Sequence, residues 1–450
     1  MSDLITFTEY SSKLIQEELK WGINDPRLDL LERLNFASKD TLFTIGRREI
    51  KASQYVGLVR LGDITLQVLP KISYSGDFDK PEYTPEYKAA VQSSMRNLLV
   101  MLSIACDLPL RAQDAAYLHT ETGSWLEILT RLFALELHRQ YEAGVPHEYI
   151  RIEDRLPVIR GRWLVSEQVA RHSHDHIHFD VSYDEFSPDT PLNQIFALTV
   201  NILQCLTQDA TNRRLLLDLH DWLSECNPKL EMVPYYLSRV HFSRLNERFR
   251  PTYNLARLFW QQQLVQLSSG DYSVFAFVFD MNILFQDFIS QVMQRYEKRI
   301  LPTAWRYGEI LLQAEGLREH LAERIDPGQP LSHKVFPLYP DLMVISPSGI
   351  PYLIVDTKYK RLSPDKKDGG VSEAYAYQML AYARHWECSK VLLIYPSSSP
   401  YVNRFYFQVG GVNGIKIWIV EVNMQQSFDK LDGLIEEIQQ IMAKIGTEEK

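Results

Sequence analysis

Two aspartates and a lysine end two apolar runs in the segment PDLMVISPSGIPYLIVDTKYK, which we predict to be a β-hairpin. A tight turn centred on Ser348-Gly349 would place Asp356 directly opposite Asp341. Directly opposed residues have β-carbons about 4.5–5.5 Å apart, so like charges there destabilise the pair. Lys358 would share the face of Asp356, because alternate residues of a strand point the same way. The spacing therefore predicts two carboxylates and one ammonium on one small patch.

This patch suits a divalent cation and phosphate chemistry. Two neighbouring carboxylates do not both stay ionised without compensation. Mg²⁺ takes one or two carboxylates together with waters and phosphate oxygens, and a lysine beside it could orient a water or stabilise charge that develops on phosphate. We therefore predict Asp341, Asp356 and Lys358 as catalytic residues, with the two aspartates as metal ligands. The alternative is a surface salt bridge between the lysine and one aspartate.

A helix predicted after the hairpin favours the catalytic interpretation. Within SEAYAYQMLAYARHWE, Gln378 and Tyr382 lie four residues apart on one helix face. The PD-(D/E)xK nuclease signature consists of Pro-Asp, a hairpin, an apolar strand that ends in Asp-x-Lys, and a following helix. This segment has these elements in that order. The Gln-x-x-x-Tyr element resembles the helix after the active site in RecB-like nucleases, so both residues are predicted to be catalytic. The alternative is an aromatic core face, since Tyr375 and Tyr377 stand nearby.

The composition indicates a multidomain globular protein. The 450 residues are 45% hydrophobic and 23% charged, and they exceed one ordinary domain. The four cysteines lack CxxC spacing, which argues against a disulfide framework or a zinc knuckle. Neither a signal peptide nor an apolar run long enough to cross a bilayer is apparent, so we expect a cytoplasmic protein without membrane contact. A net charge of -9 argues against coating DNA by bulk charge but allows a local basic groove.

Periodicity predicts a multidomain α+β organisation with three domains. Residues 1–85 hold runs such as TLFTIGRREI and ITLQVLPKI, which are typical of short strands, and end in a polar linker. Residues 86–270 have mainly helical period, with a capped helix start at SPDTPLNQIF. Residues 271–450 alternate helices and strands and include a hairpin that should close at Asn413-Gly414. This last region is predicted to be α/β, with a mixed sheet flanked by helices.

Islands of sequence along most of the chain resemble the McrC family, the nuclease subunits of McrBC-type (5-methylcytosine) modification-dependent restriction systems. One island, VGLVRLGDITLQVLPKI, lies near the N-terminus. The central islands are VIRGRWLVSEQV and VSYDEFSPDTPLNQIFALTV, with Gly161 and Asn193 in matching places. LYPDLMVI, LIVDTKYK and YQMLAYA resemble the C-terminal signature. The islands are specific in combination, because they occur in the family's order.

The resemblance implies Mg²⁺-dependent cleavage of double-stranded DNA, with Asp341 and Asp356 as ligands and Lys358 in the catalytic lysine position. It also implies a separate AAA+ GTPase partner, the McrB-type hexameric ring, which reads the DNA. The N-terminal part of this chain would bind that ring. We accordingly predict that residues 1–270 bind this partner and stimulate its NTP hydrolysis. The chain itself has no GxxxxGK[ST] loop, so no bound nucleotide is expected.

One departure from the family pattern lies in the first predicted nuclease helix. The family often has Leu-Phe-Glu there, whereas this chain has Leu284-Phe285-Gln286-Asp287. A neutral Gln286 cannot replace a metal-binding or base-like carboxylate, and the neighbouring Asp287 is the candidate for that role.

Two further groups of side chains bear on function. A basic run follows the predicted catalytic strand and contains Lys360, Arg361, Lys366 and Lys367. These side chains could contact DNA phosphates, and the alternative is a solvated loop. Alternating histidines in RHSHDHIHFD, from His172 to His178, would share one face of a strand and could bind a transition metal. An exposed strand or loop is the preferred interpretation there.

Two rival functions remain open on the sequence alone. One is a free-standing repair or recombination nuclease with the same chemistry, which would cut DNA without any NTPase. The other is a non-catalytic adaptor that stimulates an AAA+ NTPase, which would keep the complex active after Asp356→Ala.

Overall fold

The computed structural model describes most of the chain: residues 3–22, 25–38, 40–62, 64–71, 84–108, 125–172, 174, 177–261, 265–269, 272–317, 319–326, 332–363, 365–397, 399, 402–411, 414–424 and 431–447. Most of the predicted linker, His176 and Asn413 of the predicted hairpin turn lie outside these residues. Every helix within the described ranges is too short or too polar to cross a bilayer.

The N-terminal segment is rich in strands, as predicted, but it also contains a helix. Its elements are β1 (Asp3–Thr8), β2 (Ser12–Leu14), α1 (Pro26–Ser38), β3 (Phe43–Ile45), β4 (Glu49–Ala52), β5 (Tyr55–Leu61), β6 (Ile64–Leu69) and α2 (Pro85–Ala105). Helix α1 was not predicted; it buries Leu31 and Leu34 completely in the core of this segment. Helix α2 begins after Thr84, whose side chain caps it by accepting a hydrogen bond from the Tyr87 N–H.

The middle of the chain is mainly helical around a small sheet. Its elements are α3 (Trp125–Glu142), β7 (Glu148–Leu156), β8 (Arg162–Trp163), α4 (Val165–His172), β9 (Phe179–Ser187), α5 (Pro191–Leu206), α6 (Ala210–Trp222), α7 (Val233–Arg239) and α8 (Arg250–Gln261), with short 3-10 helices at Leu230–Met232 and Glu247–Phe249. Thr190 caps α5 by accepting from the Asn193 N–H, and Pro191 occupies its first turn, as predicted.

The remaining chain alternates strands and helices. Its elements are β10 (Val265–Ser269), β11 (Tyr272–Asp280), α9 (Met281–Arg295), α10 (Glu297–Ile300), a 3-10 helix (Thr303–Trp305), β12 (Glu309–Leu312), β13 (Glu319–Ile325), β14 (Ser332–Leu338), β15 (Leu342–Ile345), β16 (Pro351–Thr357), α11 (Glu373–His385), β17 (Lys390–Ser397), β18 (Arg404–Val409), β19 (Ile415–Asn423) and α12 (Asp432–Thr447).

The chain folds into two compact units whose limits differ from the three predicted domains. The composite unit combines residues 1–120 with 263–450, and the middle unit comprises residues 121–262. Strand pairing is the physical reason: β11 pairs with β5, which gives a five-stranded sheet in the order β1-β6-β5-β11-β10. The predicted boundary between residues 270 and 271 therefore falls inside the β10–β11 hairpin. Helix α2 also belongs to the composite unit, because it packs against α9.

The second large sheet of the composite unit is mixed, as predicted, with the order β12-β15-β16-β17-β19-β18. Strands β16, β17 and β19 run parallel, and the outer pairings are antiparallel. Because parallel neighbours need a crossover, α11 connects β16 to β17. Helices α9, α11 and α12 pack against this sheet. Its central strand β17 is buried along its whole length, so the carboxyl end of β16 projects from a rigid core.

In the middle unit, two residues matched to the family have clear structural roles. Asn193 is fully buried, and its amide donates to the carbonyl oxygens of Pro146 and Pro188 while its Oδ1 accepts from Tyr141. Gly161 has φ +71°, and a β-carbon there would lie 2.5 Å from the Ser182 carbonyl oxygen. Both positions therefore serve the local fold of this unit.

Candidate active site

The β15–β16 hairpin has the register that the sequence predicts. Leu342 pairs with Val355, and one further step places Asp341 opposite Asp356. The turn differs from the prediction: the Gly349 N–H donates to Ser346 O and the Ser346 N–H to Ile350 O. A register shift between Val344 and Ile345 compensates for this longer turn, so the rest of the hairpin keeps the predicted pairing.

The two aspartates lie almost completely inside the protein. Asp341 is 7% exposed and Asp356 1% exposed. Oδ2 of Asp341 accepts from the Thr357 N–H at 2.6 Å and from the Thr357 hydroxyl at 2.7 Å. The Lys358 ammonium forms an ion pair with Asp356, and both side chains are largely shielded from solvent. The lysine therefore does not form the surface salt bridge of the alternative interpretation. Thr357 was missed by the sequence argument, which considered only charged groups.

Burial raises the pKa of both carboxyl groups. The pKa of Asp356 rises to about 7, chiefly through burial and then through the charge of Asp341, while Lys358 opposes the shift. Burial also raises the pKa of Asp341, against the two hydrogen bonds from Thr357. A pair of buried oxygen donors that resists ionisation fits a hard divalent cation, which would supply the missing positive charge.

Helix α9 brings a third carboxylate toward this pair. Asp287 is half-buried, and burial followed by the charge of Asp341 raises its pKa to about 6. The helix is held at its start by Asp280, whose Oδ1 accepts from the Asn282 N–H. Gln286 is half-buried too but carries no charge. Among the described residues, no three His, Cys, Asp or Glu side chains are grouped closely enough to hold a metal by themselves. The candidate donor set is therefore the Asp341–Asp356 pair, with Asp287 nearby.

The two predicted residues of α11 contact each other beside the carboxylates. Nε2 of Gln378 donates to the Tyr382 hydroxyl at 2.9 Å. Tyr382 is 3% exposed, and burial, followed by the charge of Asp356, raises its pKa to about 12. The aromatic-core alternative holds only partly, because Tyr377 is 69% exposed. The half-buried ring of Tyr375 instead lies 4.9 Å from the Lys358 ammonium and 4.9 Å from the Lys360 ammonium.

The predicted DNA-contacting residues fall into two classes. Lys360, Lys366 and Lys367 are exposed in the segment that follows β16. Arg361 is exposed as well, but its guanidinium donates to the carbonyl oxygen of Lys71. The structure therefore assigns Arg361 an internal contact that the sequence did not predict.

The histidine run does not form the strand that alternation suggested. His172 ends helix α4, and β9 begins only at Phe179, after His178. Nδ1 of His172 lies 2.8 Å from Oδ2 of Asp180. His172 and His178 therefore do not lie on one strand face, and the described residues between α4 and β9, which include exposed His174, fit the preferred interpretation of an exposed loop.

Comparison with known proteins finds one matching family model and solved structures that this chain resembles. A family model described as McrBC 5-methylcytosine restriction system component matches residues 50–396. A refined half-complex from a tetradecameric assembly of Thermococcus gammatolerans McrB AAA+ hexamers with bound McrC has a TM-score of 0.62 at 22% identity, covering 98% of this chain and 99% of that chain. The cryo-EM structure of the Thermococcus gammatolerans McrBC complex has 26% identity and a TM-score of 0.48, covering 65% of this chain and 88% of that chain.

No curated protein sequence matches the chain significantly. The likeness to the half-complex shows a common fold over nearly the entire length of both chains. The family model extends over well more than half of the sequence, from the N-terminal sheet to β17. The chain therefore belongs to the McrBC family of 5-methylcytosine restriction system components, in agreement with its resemblance to McrC.

Proposed function

We propose that this chain is the Mg²⁺-dependent endonuclease subunit of a modification-dependent restriction complex, with a PD-(D/E)xK fold and active site. The observation that carries the proposal is the arrangement of Asp341, Asp356 and Lys358 at the carboxyl end of β16. Ligands and catalytic groups commonly lie at such strand ends in open α/β sheets. Burying two carboxylates together costs free energy unless a cation compensates their charge. A strand end with a purely structural role would not need such a pair.

The carboxylates are suited to hold the metal. Asp341 and Asp356 would be its ligands, and Thr357 would keep Asp341 in place through its two hydrogen bonds. Asp287 would contribute a third carboxylate to the metal, either directly or through a bound water. It would thereby take the role that the neutral Gln286 cannot perform. Mg²⁺, when bound, would lower the pKa of a coordinated water and neutralise charge on the phosphate.

The remaining site residues would act on the phosphate and on the catalytic groups themselves. The Lys358 ammonium, now paired with Asp356, would turn toward the scissile phosphate and stabilise the charge that develops there. The Tyr382 hydroxyl stays protonated at neutral pH, so it would donate a hydrogen bond rather than act as a base. Gln378 would orient that hydroxyl. Lys360, Lys366 and Lys367 would contact the DNA backbone.

Partner docking is best supported for the middle unit, within the predicted region 1–270. Helix α4 buries none of its residues, and the sheet beside it is largely exposed. This unit displays large apolar side chains in solvent, namely Tyr149, Val158, Ile159, Trp163, Val165, Val169, Ile177 and Phe186. Such exposed apolar surface is typical of a protein interface. The solved relative contains McrB AAA+ hexamers with bound McrC, so we propose a McrB-type GTPase ring as the partner.

A reconstituted cleavage assay tests the proposal. The chain is combined with its McrB-type partner, GTP, Mg²⁺ and double-stranded DNA with or without 5-methylcytosine. Asp356→Asn should abolish cleavage while the partner's GTP hydrolysis is still stimulated. Glu436→Gln, which removes an exposed carboxylate from α12 of the same unit, is the charge-matched control and should cut like the wild type.

The rival functions give different results in the same assay. Cleavage without partner or nucleotide would indicate a free-standing nuclease. Undiminished cleavage by the complex that contains Asp356→Asn would indicate an adaptor whose own site is not catalytic. Replacement of Mg²⁺ by EDTA must stop the reaction if the carboxylates bind the metal.

A further inference from the structure

A buried polar junction joins the N-terminal sheet to the segment that follows the candidate catalytic strand. Glu9 lies just after β1 and Tyr359 just after β16, and each is only 4% exposed. The Tyr359 hydroxyl donates to Oε2 of Glu9 at 2.9 Å, although the two residues are 350 positions apart. The same oxygen accepts from the Lys71 N–H at 3.0 Å. One carboxylate therefore connects three separate segments of the composite unit.

Lys71 closes this junction from a second side. Its ammonium lies 3.9 Å from Oε1 of Glu9 and 4.8 Å from the ring centroid of Tyr359. Its carbonyl oxygen accepts a hydrogen bond from the Arg361 guanidinium. The ring of Tyr359 also packs 5.7 Å from that of Phe285 on α9. The segment from Tyr359 to Arg361 is thus held at two points by the N-terminal sheet.

This anchored segment begins one residue after the candidate catalytic lysine. The Lys358 N–H donates to Ile394 O at 2.9 Å, and the Lys360 N–H donates to Lys358 O at 2.8 Å. Consecutive Cα atoms are about 3.8 Å apart, so an anchored Tyr359 restricts the position from which the Lys358 side chain begins. A lysine has a long flexible stem, and its ammonium can be placed accurately only if its backbone is rigid.

Burial disfavours the charged form of Glu9 in this junction. Burial raises the pKa of Glu9 to about 7, although Lys71 and Tyr359 favour its charged form. Well-packed apolar side chains would join the two segments with less desolvation. Hydrogen bonds from a hydroxyl and a backbone amide fix the directions of both groups. Such a polar link is therefore useful where the geometry of a site must be precise.

We propose that Glu9 is a positioning residue for DNA cleavage, acting through Tyr359 and Lys71 to hold the backbone of Lys358 in its place at the end of β16. The inference rests on the proposed nuclease function. It makes the N-terminal sheet a supporting part of the active site, in addition to any part it has in partner binding.

The test compares Tyr359→Phe with a matched loss of one hydroxyl elsewhere. Tyr141→Phe in the middle unit is the control, since its hydroxyl is equally buried and also makes one 2.9 Å hydrogen bond, to Asn193. Single-turnover cleavage is measured for both variants in the full complex with saturating partner, GTP and Mg²⁺. Tyr359→Phe should lower the maximal rate between about ten-fold and a hundred-fold without changing the DNA concentration for half-maximal rate. Tyr141→Phe should cut at the wild-type rate under the same conditions.

Two further measurements separate positioning from general stability. Amide hydrogen exchange of the intact chain should be faster in the 357–363 segment of Tyr359→Phe and unchanged there in Tyr141→Phe. Glu9→Gln keeps an oxygen that can accept from Tyr359 and Lys71, so it should retain most of the cleavage rate that Glu9→Ala loses.

The outcomes distinguish this inference from the proposed function. If the wild type does not cut DNA with its partner, the proposed function fails and the positioning role with it. If the wild type cuts but Tyr359→Phe cuts equally fast, only the positioning role is overturned. An equal loss of rate in Tyr141→Phe would also overturn it, because the effect would then be one of stability.

Discussion

The composite unit and the middle unit treat alternating polar residues in opposite ways. In the composite unit, Asp341 and Asp356 are 7% and 1% exposed and face each other across a hairpin. In the middle unit, His172 ends a helix without buried residues, and His178 lies in the connection that leads to β9. The hairpin opposes two aspartates across a short turn, and the histidine run has a histidine at every second position. Only the aspartates form a cluster that is shielded from solvent.

The difference lies in the apolar residues that surround the polar ones. The hairpin carries fully buried Val344, Leu353 and Val355 on one face and fully buried Met343 and Ile354 on the other, so hydrophobic burial holds both strands in place. The histidine run RHSHDHIHFD is polar at nearly every position, so no buried face specifies a strand. Alternation therefore predicts a site only where hydrophobic burial sets the register and makes an uncompensated charge costly.

The largest effect is expected from cutting the chain at the predicted domain boundary. A fragment of residues 271–450 would lose β5, the partner of β11, along with Glu9 and Lys71. We expect it to aggregate or remain unfolded, since the exposed edge of β11 is strongly apolar. Circular dichroism and size-exclusion chromatography of the fragment would measure this.

Removal of the middle unit is the contrasting truncation. Replacing residues 121–262 by a flexible linker leaves every strand pair of the composite unit intact. This variant should fold, retain Mg²⁺-induced stabilisation and lose partner binding. A well-folded 271–450 fragment, or an unfolded linker variant, would contradict the division into these two units.

The second largest effect separates the two polar stretches by activity. Lys358→Ala should lower the cleavage rate by about a thousand-fold, because it removes a preorganised charge from the phosphate. His172→Ala should leave the rate within about two-fold, since surface substitutions outside a site rarely matter more. Single-turnover cleavage in the full complex, at saturating partner, is the measurement. A comparable loss in both variants would show that the histidine segment contributes to catalysis.

The sequence predicts the hairpin register because hydrophobic burial and strand alternation are local properties. It also predicts the carboxylate pair, the Lys358 contact and the placement of Gln378 beside Tyr382. The irregular turn leaves the register unchanged only because a bulge compensates for it, and strand periodicity cannot predict such a bulge.

Contacts between distant segments were beyond the sequence argument. The pairing of β5 with β11 joins residues more than 200 positions apart, and no pattern within either strand specifies its partner. The same holds for Tyr359 and Glu9, whose side chains are in contact although they lie 350 positions apart. Thr357 was overlooked because its role depends on its backbone N–H as much as on its hydroxyl.

A smaller effect concerns the pH dependence of stability at the carboxylate pair. The Asp356 carboxyl has a folded-state pKa of about 7 against an ordinary value of 3.8, so the native protein holds a proton that the unfolded chain releases. Its contribution therefore favours folding at low pH and is lost as the pH rises from about 4 to 7. Asp356→Asn should remove this slope and raise the melting temperature at pH 8 without metal, because the amide has no charge to bury.

Melting temperatures between pH 5 and pH 8, with EDTA or Mg²⁺, would measure this prediction. Mg²⁺ should stabilise the wild type at pH 8 and have little effect on Asp356→Asn. Asp341→Asn should behave similarly, since an amide oxygen can still accept from Thr357. Asp180→Asn, which affects the carboxylate beside His172, is the control from the middle unit and should keep the full Mg²⁺ response. An unchanged response in Asp356→Asn would mean that the aspartates do not share a cation.

The smallest effect is expected at the hydroxyl of Tyr382. Tyr382→Phe keeps the buried ring and removes only the group that accepts from Gln378 and lies near Asp356. One hydrogen bond donated by a hydroxyl contributes about 1 kcal/mol, so the cleavage rate should fall by about five- to ten-fold. Tyr377→Phe on the same helix is the control, because that side chain is 69% exposed and should be replaceable without effect. Gln378→Ala should give a loss no larger than that of Tyr382→Phe, since it acts through the same hydroxyl, and the double variant should be no worse than Tyr382→Phe alone. Additive losses would show instead that Gln378 has a separate contact with the substrate, and the two residues of α11 would then no longer form a single unit.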